Sequence, residues 1–381
     1  MKAAVLGYGT VGAGVYAMLR SAEGLEPGPV LVRPGKAAEP FQVTDIEEIL
    51  SDPSVGVVVE AMGGIEPAFS YARKVLRSGR HFVTSNKALV ASHGLELAAD
   101  ARDADAAFLF SAACGGGVPF LHNIALAAKS DKLSLVSGIL NGTTNYMLHA
   151  MQTRGLDYAA ALKEAQALGY AEADPTADVS GLDAARKITL ACAVAFGKLP
   201  AAGLDCEGID HLSAEDVSDF RGRGLTCRLL ARGRDIGNTA AAYVEPFLLK
   251  AGAPECSVAD NYNMARYEGA CSGPMVYMGQ GAGRFPTASA VLRDLESVLE
   301  GARTMLPPHC AAVQADNDRE CHSYYVRLPA SAAAALPLRE LLVNGETVRA
   351  VTQSLSVRRM HAAAKKIRDD GGEIFFAALE E

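Results

Sequence analysis

The chain has 381 residues, enough for two or three domains, and its 49% apolar and 21% charged content is that of a soluble globular protein. A net charge of −8 argues against a general role on nucleic acid or an anionic membrane. No apolar run approaches a membrane span, and a first strand from Ala3 leaves no room for a leader. Eight scattered cysteines without a C-x-x-C pair suit reduced thiols in a cytoplasm better than disulfides or zinc.

In chain order, "AAVLGYGTVGAGVYAMLR" (3–20) reads as a short buried strand, a glycine turn and a helix. Gly7, Gly9 and Gly12 form G-x-G-x-x-G, which needs glycine for the tight turn, for close approach to a pyrophosphate, and for helix–strand packing. Thr10 and Val11 lie in the same turn, where the helix N-terminus faces the phosphates. The second strand, "VLVR" (30–33), ends in Arg33 and Lys36 and carries no acid for a ribose 2′-OH. Two cations suit a 2′-phosphate, so NADP is expected ahead of NAD. A third strand, "VGVVVEAMGG" (55–64), brings Gly63, and "HFVTSNK" (81–87) brings Ser85 and Lys87. Helices are expected at 66–79 and 93–103, and a strand at "AAFLF" (106–110). Such alternation predicts an α/β, Rossmann-type doubly wound parallel sheet over residues 1–125, with a returning helix near 286–305.

The pattern changes after residue 125. A strand is expected at 133–140, helices at 142–154 and 157–168, and a long helix from about 179 to 196, ended by Gly197 and Pro200. Strands at 242–249 and 273–279 complete an α+β domain over 126–285. The tail from 308 reads as strand 323–328, helix 337–343, strand 347–353, helix 356–369 and strand 373–378.

One stretch carries charge chemistry. "EADPTADVSGLDAARK" (172–187) holds Glu172, Asp174, Asp178 and Asp183, with Lys187 four residues after Asp183 and on the same helix face. By itself this is a surface pair of about 0.3–0.5 kcal/mol. The apolar "ITLACAVAFG" that follows, and the earlier "LNGTTNYML" (140–148), argue for a buried pair instead. A buried lysine beside a carboxylate is a tunable proton donor.

With these motifs in view, "GYGTVG", "TSNKAL", "GGGVP", "GILNGTTNYML", "GYAEADPTADVSGLDAARK" and "GQGAGRFPTASAV" stand in the order found in homoserine dehydrogenases. The sequence resembles that family from residue 1 to about 305. The resemblance implies NAD(P)H-dependent interconversion of L-aspartate 4-semialdehyde and L-homoserine, in threonine and methionine biosynthesis. It implies Lys187 as proton donor and Lys87 as a second lysine at the substrate and nicotinamide. Glu172 and Asp183 match carboxylates that hold the substrate amino group or orient the lysine, Asp178 is a further substrate-binding acid, and Asn141, Gly142 and Thr143 match the loop beside the substrate. Gly169 and Gly281 match glycines near the cofactor. "CGGGV" matches a loop that ligates Na+ or K+ through the carbonyls of Cys114, Gly116 and Val118, with Ser111 where that loop often has an acid. "CHSYYVRLP" resembles the entry strand of an ACT-type regulatory module, made degenerate by "ASAAAALP" in place of a glycine turn. Family members are homodimers or homotetramers.

Two rival readings exist. An acylating semialdehyde dehydrogenase would use Cys114 as nucleophile, with a base such as His211. A non-catalytic NADP-binding redox sensor would share the glycine turn but would have no use for a proton donor. The histidines show no metal-ligand spacing, so a catalytic metal is not implied.

Overall fold

The structure is a computed structural model that describes residues 1–343 and 345–380, and the chain divides into two compact units.

The first unit comprises Met1–Leu133, Ala193–Leu199 and Gly279–Ala311. It opens with β1 (Lys2–Leu6), α1 (Thr10–Leu19), β2 (Glu26–Leu31), β3 (Gln42–Val43), α2 (Ile46–Leu50) and β4 (Val55–Glu60). It continues with α3 (Ala68–Arg77), β5 (His81–Thr84), α4 (Lys87–Asp103), β6 (Phe108–Leu109) and α5 (Phe120–Ala127). The strands form one sheet in the order β3-β2-β1-β4-β5-β6, parallel throughout. Ala3–Leu6 and Val57–Val59 are wholly buried, as continuous apolar strands are when helices cover both faces. The strand order reverses beside β1, and such switch points are where open α/β sheets take their ligands. The returning helix is Arg284–Leu299, which lies against α1 at Gly14.

The second unit comprises Ser134–Cys192, Pro200–Met278 and Ala312–Glu381. From the end of the first unit the chain runs through β7 (Leu133–Ile139), α6 (Gly142–Arg154), α7 (Tyr158–Ala167), α8 (Thr176–Val179) and α9 (Leu182–Phe196). Then come β8 (Lys198–Ala202), β9 (Asp205–Cys206), α10 (Ala214–Gly222), β10 (Leu225–Asp235), β11 (Ala240–Lys250), β12 (Tyr262–Gly269), β13 (Gly273–Gln280) and α11, the returning helix. The tail supplies β14 (Ala311–Gln314), β15 (Cys321–His322), β16 (Tyr324–Pro329), β17 (Leu338–Val343), β18 (Thr347–Thr352), β19 (Leu355–Ser356), α12 (Val357–Asp369) and β20 (Phe375–Leu379).

The main sheet here is mixed, in the order β13-β12-β7-β10-β11-β20-β16-β18-β17, with β9 beside β11. β10 and β11 pair antiparallel, and β20 joins β11 in parallel at Phe247 and Leu248. The tail therefore continues this sheet and shares its core: Tyr243 and Phe247 pack in one cluster with Tyr324, Met360 and Phe376.

The long helix expected from about 179 to 196 is α9, which starts at Leu182 once Gly181 has turned the chain at φ +83°. One expectation is corrected. The helix expected at 337–343 is the strand β17, paired antiparallel with β18. "LRELLV" is too short for its apolar spacing to choose between the two periods, and the neighbouring strand decides. Among the described residues no helix is long and apolar enough to cross a membrane.

Candidate active site

In the first unit, the glycine turn is closed by backbone contact. Gly7 holds φ +98°, and a Cβ on Gly12 would lie 2.0 Å from the Gly7 carbonyl oxygen. A Cβ on Gly9 would meet no heavy atom within 4 Å, so the turn is open on the side a ligand would approach. Gly9 is the N-cap of α1 and offers no side-chain cap. Thr10 and Val11 begin the helix, whose first N–H groups lie outside its own hydrogen-bond ladder. A pocket of about 840 Å³ opens here, lined by Gly7, Gly9, Arg33, Lys36, Gly63 and Tyr71 among others. Arg33 and Lys36 are both exposed at this pocket. These residues fit a dinucleotide: a cradle that a Cβ would fill, a helix N-terminus and two cations.

The wholly buried Glu60 was missed in the sequence reading. Its carboxylate accepts from the N–H groups of Met62, at 2.7 Å, and Gly63, at 3.1 Å, and from the Thr84 hydroxyl. It thereby shapes the pocket wall at Gly63. An acid that ends the apolar run "VGVVV" was the available signal. Ser85 donates its N–H to the Glu60 carbonyl at 3.2 Å. Half-buried Lys87 opens α4, capped by Asn86, whose side chain accepts from Leu89 N–H at 3.1 Å.

The "CGGGV" loop lies in the same unit. Cys114 is wholly buried. Gly117 donates its N–H to the Gln280 carbonyl at 3.1 Å, and a Cβ on Gly116 would come within 2.5 Å of the Gly281 carbonyl oxygen. The Val118 carbonyl accepts from Phe120 N–H at 2.7 Å. Ser111 gives its N–H, at 2.7 Å, and its hydroxyl to Asp294 of α11. Asp294 is fully buried, and that burial pushes its carboxyl up to about 7 despite the two bonds from Ser111. No motif pointed to it.

The charge cluster lies in the second unit. α9 reaches the sheet where β10 has Gly233; a Cβ there would sit 2.2 Å from Cys192 Sγ, so glycine is what lets the helix approach. Lys187 and Asp183 are only 8% and 6% exposed, so the surface-pair reading fails. Lys187 Nζ lies 2.7 Å from Asp183 Oδ2 and donates to the Leu140 carbonyl at 2.6 Å. Asn141 Nδ2 donates to Asp178 Oδ1 at 2.7 Å and to Asp183 Oδ2 at 3.0 Å. The single Thr143 O–H lies between two acceptors, Asp178 Oδ2 at 3.2 Å and the Tyr170 carbonyl. The Asp178 carboxyl is raised above its usual range, chiefly by burial, and further by Asp183, against the lowering effect of Asn141, Thr143 and Lys187. Gly142 opens α6 and Gly169 turns the chain after α7, its N–H on the Gln166 carbonyl at 3.0 Å. Glu172 is not drawn into this buried group. It is exposed on the turn before α8, its backbone carbonyl held by Gln166 Nε2 at 3.1 Å.

Comparison with known proteins agrees with both units. A family model described as homoserine dehydrogenase matches residues 119–295, and one described as homoserine dehydrogenase, NAD binding domain, matches 7–111. A homoserine dehydrogenase from Synechocystis is 37% identical over 317 residues, spanning 78% of this chain and 73% of the relative. One from Corynebacterium glutamicum is 39% identical over 313 residues, spanning 77% and 70%. The crystal structure of a homoserine dehydrogenase from Thiobacillus denitrificans superposes with a TM-score of 0.87 at 30% identity, over 100% of this chain and 98% of that one. The rival readings, an acylating enzyme built on Cys114 and a sensor without turnover, give way to this agreement. The chain belongs to the homoserine dehydrogenase family, NAD(P)-dependent oxidoreductases that interconvert L-homoserine and L-aspartate 4-semialdehyde.

Proposed function

We propose that this chain carries out that reaction with NADP preferred over NAD, in threonine and methionine biosynthesis, through a proton donor at Lys187. The observation that carries the proposal is the buried Lys187–Asp183 pair at 2.7 Å. When bound, the reduced nicotinamide supplies a hydride to the aldehyde carbon of the semialdehyde. Negative charge then develops on the carbonyl oxygen. Lys187 stabilises that charge and delivers its proton to the same oxygen. Asp183 and the Leu140 carbonyl hold the ammonium in place for the transfer. Lys87 is assigned to the substrate and nicotinamide. Asp178, Asp183 and Glu172 attract the substrate ammonium, and the loop of Asn141, Gly142 and Thr143 lends backbone N–H groups of the α6 N-terminus to its carboxylate.

For the cofactor, Gly7, Gly9, Thr10, Val11 and Gly12 take the pyrophosphate, and Arg33 and Lys36 take the 2′-phosphate. Gly63, Ser85, Gly169 and Gly281 complete the set. The carbonyls of Cys114, Gly116 and Val118 would hold Na+ or K+, since a carbonyl has two lone pairs and the bond from Phe120 uses one at Val118. The functional division runs 1–125 for the cofactor, 126–285 for substrate and dimerisation, and 308–381 as a degenerate ACT-type module. The working form is a cytoplasmic homodimer or homotetramer.

The test is a steady-state assay of homoserine oxidation with NADP and with NAD, with and without potassium and threonine. Turnover with a lower KM for NADP supports the proposal. No homoserine-dependent reduction of either cofactor overturns it.

A further inference from the structure

We infer that the side chain of Asn141 has a positioning role: it holds Asp178 and Asp183 side by side and acts on the reaction through them, and only the backbone of this loop meets the substrate. The inference rests on the reading of Lys187 as proton donor.

An asparagine amide has two N–H donors and an oxygen with two lone pairs. At Asn141, which is 5% exposed, all four are in use. The nitrogen donates to Asp178 Oδ1 at 2.7 Å and to Asp183 Oδ2 at 3.0 Å. The oxygen accepts from Thr144 N–H at 2.9 Å and from the Thr144 hydroxyl at 3.0 Å. No capacity is left for a ligand. Turning the amide over would set its oxygen against two carboxylates and strip the N-cap from α6, so the network fixes the orientation.

The geometry ties this amide to the proton donor. Asp183 Oδ2 is the oxygen that Asn141 shares with Lys187 Nζ, and the Nζ also rests on the carbonyl of Leu140, the residue just before Asn141. Two consecutive residues therefore set the carboxylate pair with a side chain and the ammonium with a backbone oxygen. The charged groups that face Asn141 are Asp178 from α8 and Asp183 and Lys187 from α9. Asp178 also meets the neutral Thr143 hydroxyl at the start of α6, which in turn lies against the Tyr170 carbonyl in the turn after α7. Like charges this close raise one another's affinity for protons, and two donors between them oppose that.

Removing the donors should make one carboxylate take up a proton at higher pH. The pull on the Lys187 ammonium would then be lost sooner as pH falls, and the acid limb of the rate profile should move upward.

Two substitutions separate this from helix capping. Asn141→Asp and Asn141→Ser both keep an N-cap acceptor. The first replaces the two donors with a third carboxylate, and the second removes them without adding charge, which guards against a folding failure of the first. kcat/KM for aspartate semialdehyde, the direction in which Lys187 donates, would be followed against pH, with melting temperature and NADPH affinity measured alongside. The expected result for either folded variant is NADPH affinity like wild type and an acid limb raised by about one pH unit or more. An acid limb that coincides with wild type in both variants overturns the inference. So does a loss seen only as raised aspartate semialdehyde KM at every pH, which would mean direct contact with substrate. Near-wild-type turnover by Lys187→Ala in parallel would instead remove the reading beneath it.

Discussion

The glycine turn and the carboxylate–lysine cluster solve opposite problems. The turn is made of backbone, spans Gly7 to Gly12, and depends on side chains that are missing: a Cβ on Gly12 would sit 2.0 Å from the Gly7 carbonyl oxygen. The cluster is made of side chains from separate elements, with Asn141 reaching residues 37 and 42 positions away. A site built from absent atoms is local and shows in the spacing of the sequence. A site built from buried charge exists only once the elements that bury it have packed, because water would screen the same groups at the surface.

If that contrast is right, each region can be damaged without the other. The largest effect on cofactor affinity should come from filling the empty side of the turn. Gly9→Val should melt close to wild type, since a Cβ there meets nothing within 4 Å. It should weaken NADPH by up to roughly a hundredfold, the scale of an overpacking penalty of about 1–3 kcal/mol moved onto the ligand. Fluorescence titration measures this, and undiminished affinity would place the cofactor elsewhere. A smaller effect is expected from Arg33→Ala with Lys36→Ala, because both cations are exposed and water screens each contact with a 2′-phosphate to about 1 kcal/mol. NADPH should weaken at least about tenfold, and NADH hardly at all. Equal losses for both cofactors would make the two cations general phosphate or folding groups.

The smallest effect concerns stability. Asp294 holds its proton up to about pH 7 in the folded chain, whereas an unfolded aspartate releases it near pH 4. The folded state therefore binds the extra proton between those values, and this group's contribution to stability falls as pH rises from about 4 through 7. Asp294→Asn keeps the shape and does not titrate, so its melting temperature should fall less than wild type's across that window. Parallel melting curves would show that Asp294 ionises at no cost.

Much of the first unit was legible because alternating strands and helices leave a local record. The i,i+4 spacing of Asp183 and Lys187 was equally plain, and the apolar residues after it pointed to burial. Less was legible where tertiary pairing overrode pattern. β10 was not anticipated, because "TCRLLARGRD" interleaves charge with apolar residues. In the fold its Arg228 is 2% exposed and donates to the carbonyls of Glu255 and Val258 at 3.3 and 3.2 Å. β17 was taken for a helix for lack of its partner strand. Asp294 was invisible as a site group because a single acid on a helix has no motif, and Glu60 left only the faint signal of an acid ending an apolar run; the donors around each, Ser111 at Asp294 and Met62, Gly63 and Thr84 at Glu60, reveal what it holds.

The central claim is that Lys187 moves the proton while the glycine turn, independently, holds the cofactor. Its most direct test is turnover of Lys187→Ala at saturating NADPH and aspartate semialdehyde, with NADPH affinity measured on the same preparation. The account predicts a loss of about 10²–10⁴ in kcat with NADPH affinity unchanged. Turnover close to wild type in a variant that binds NADPH normally would contradict it.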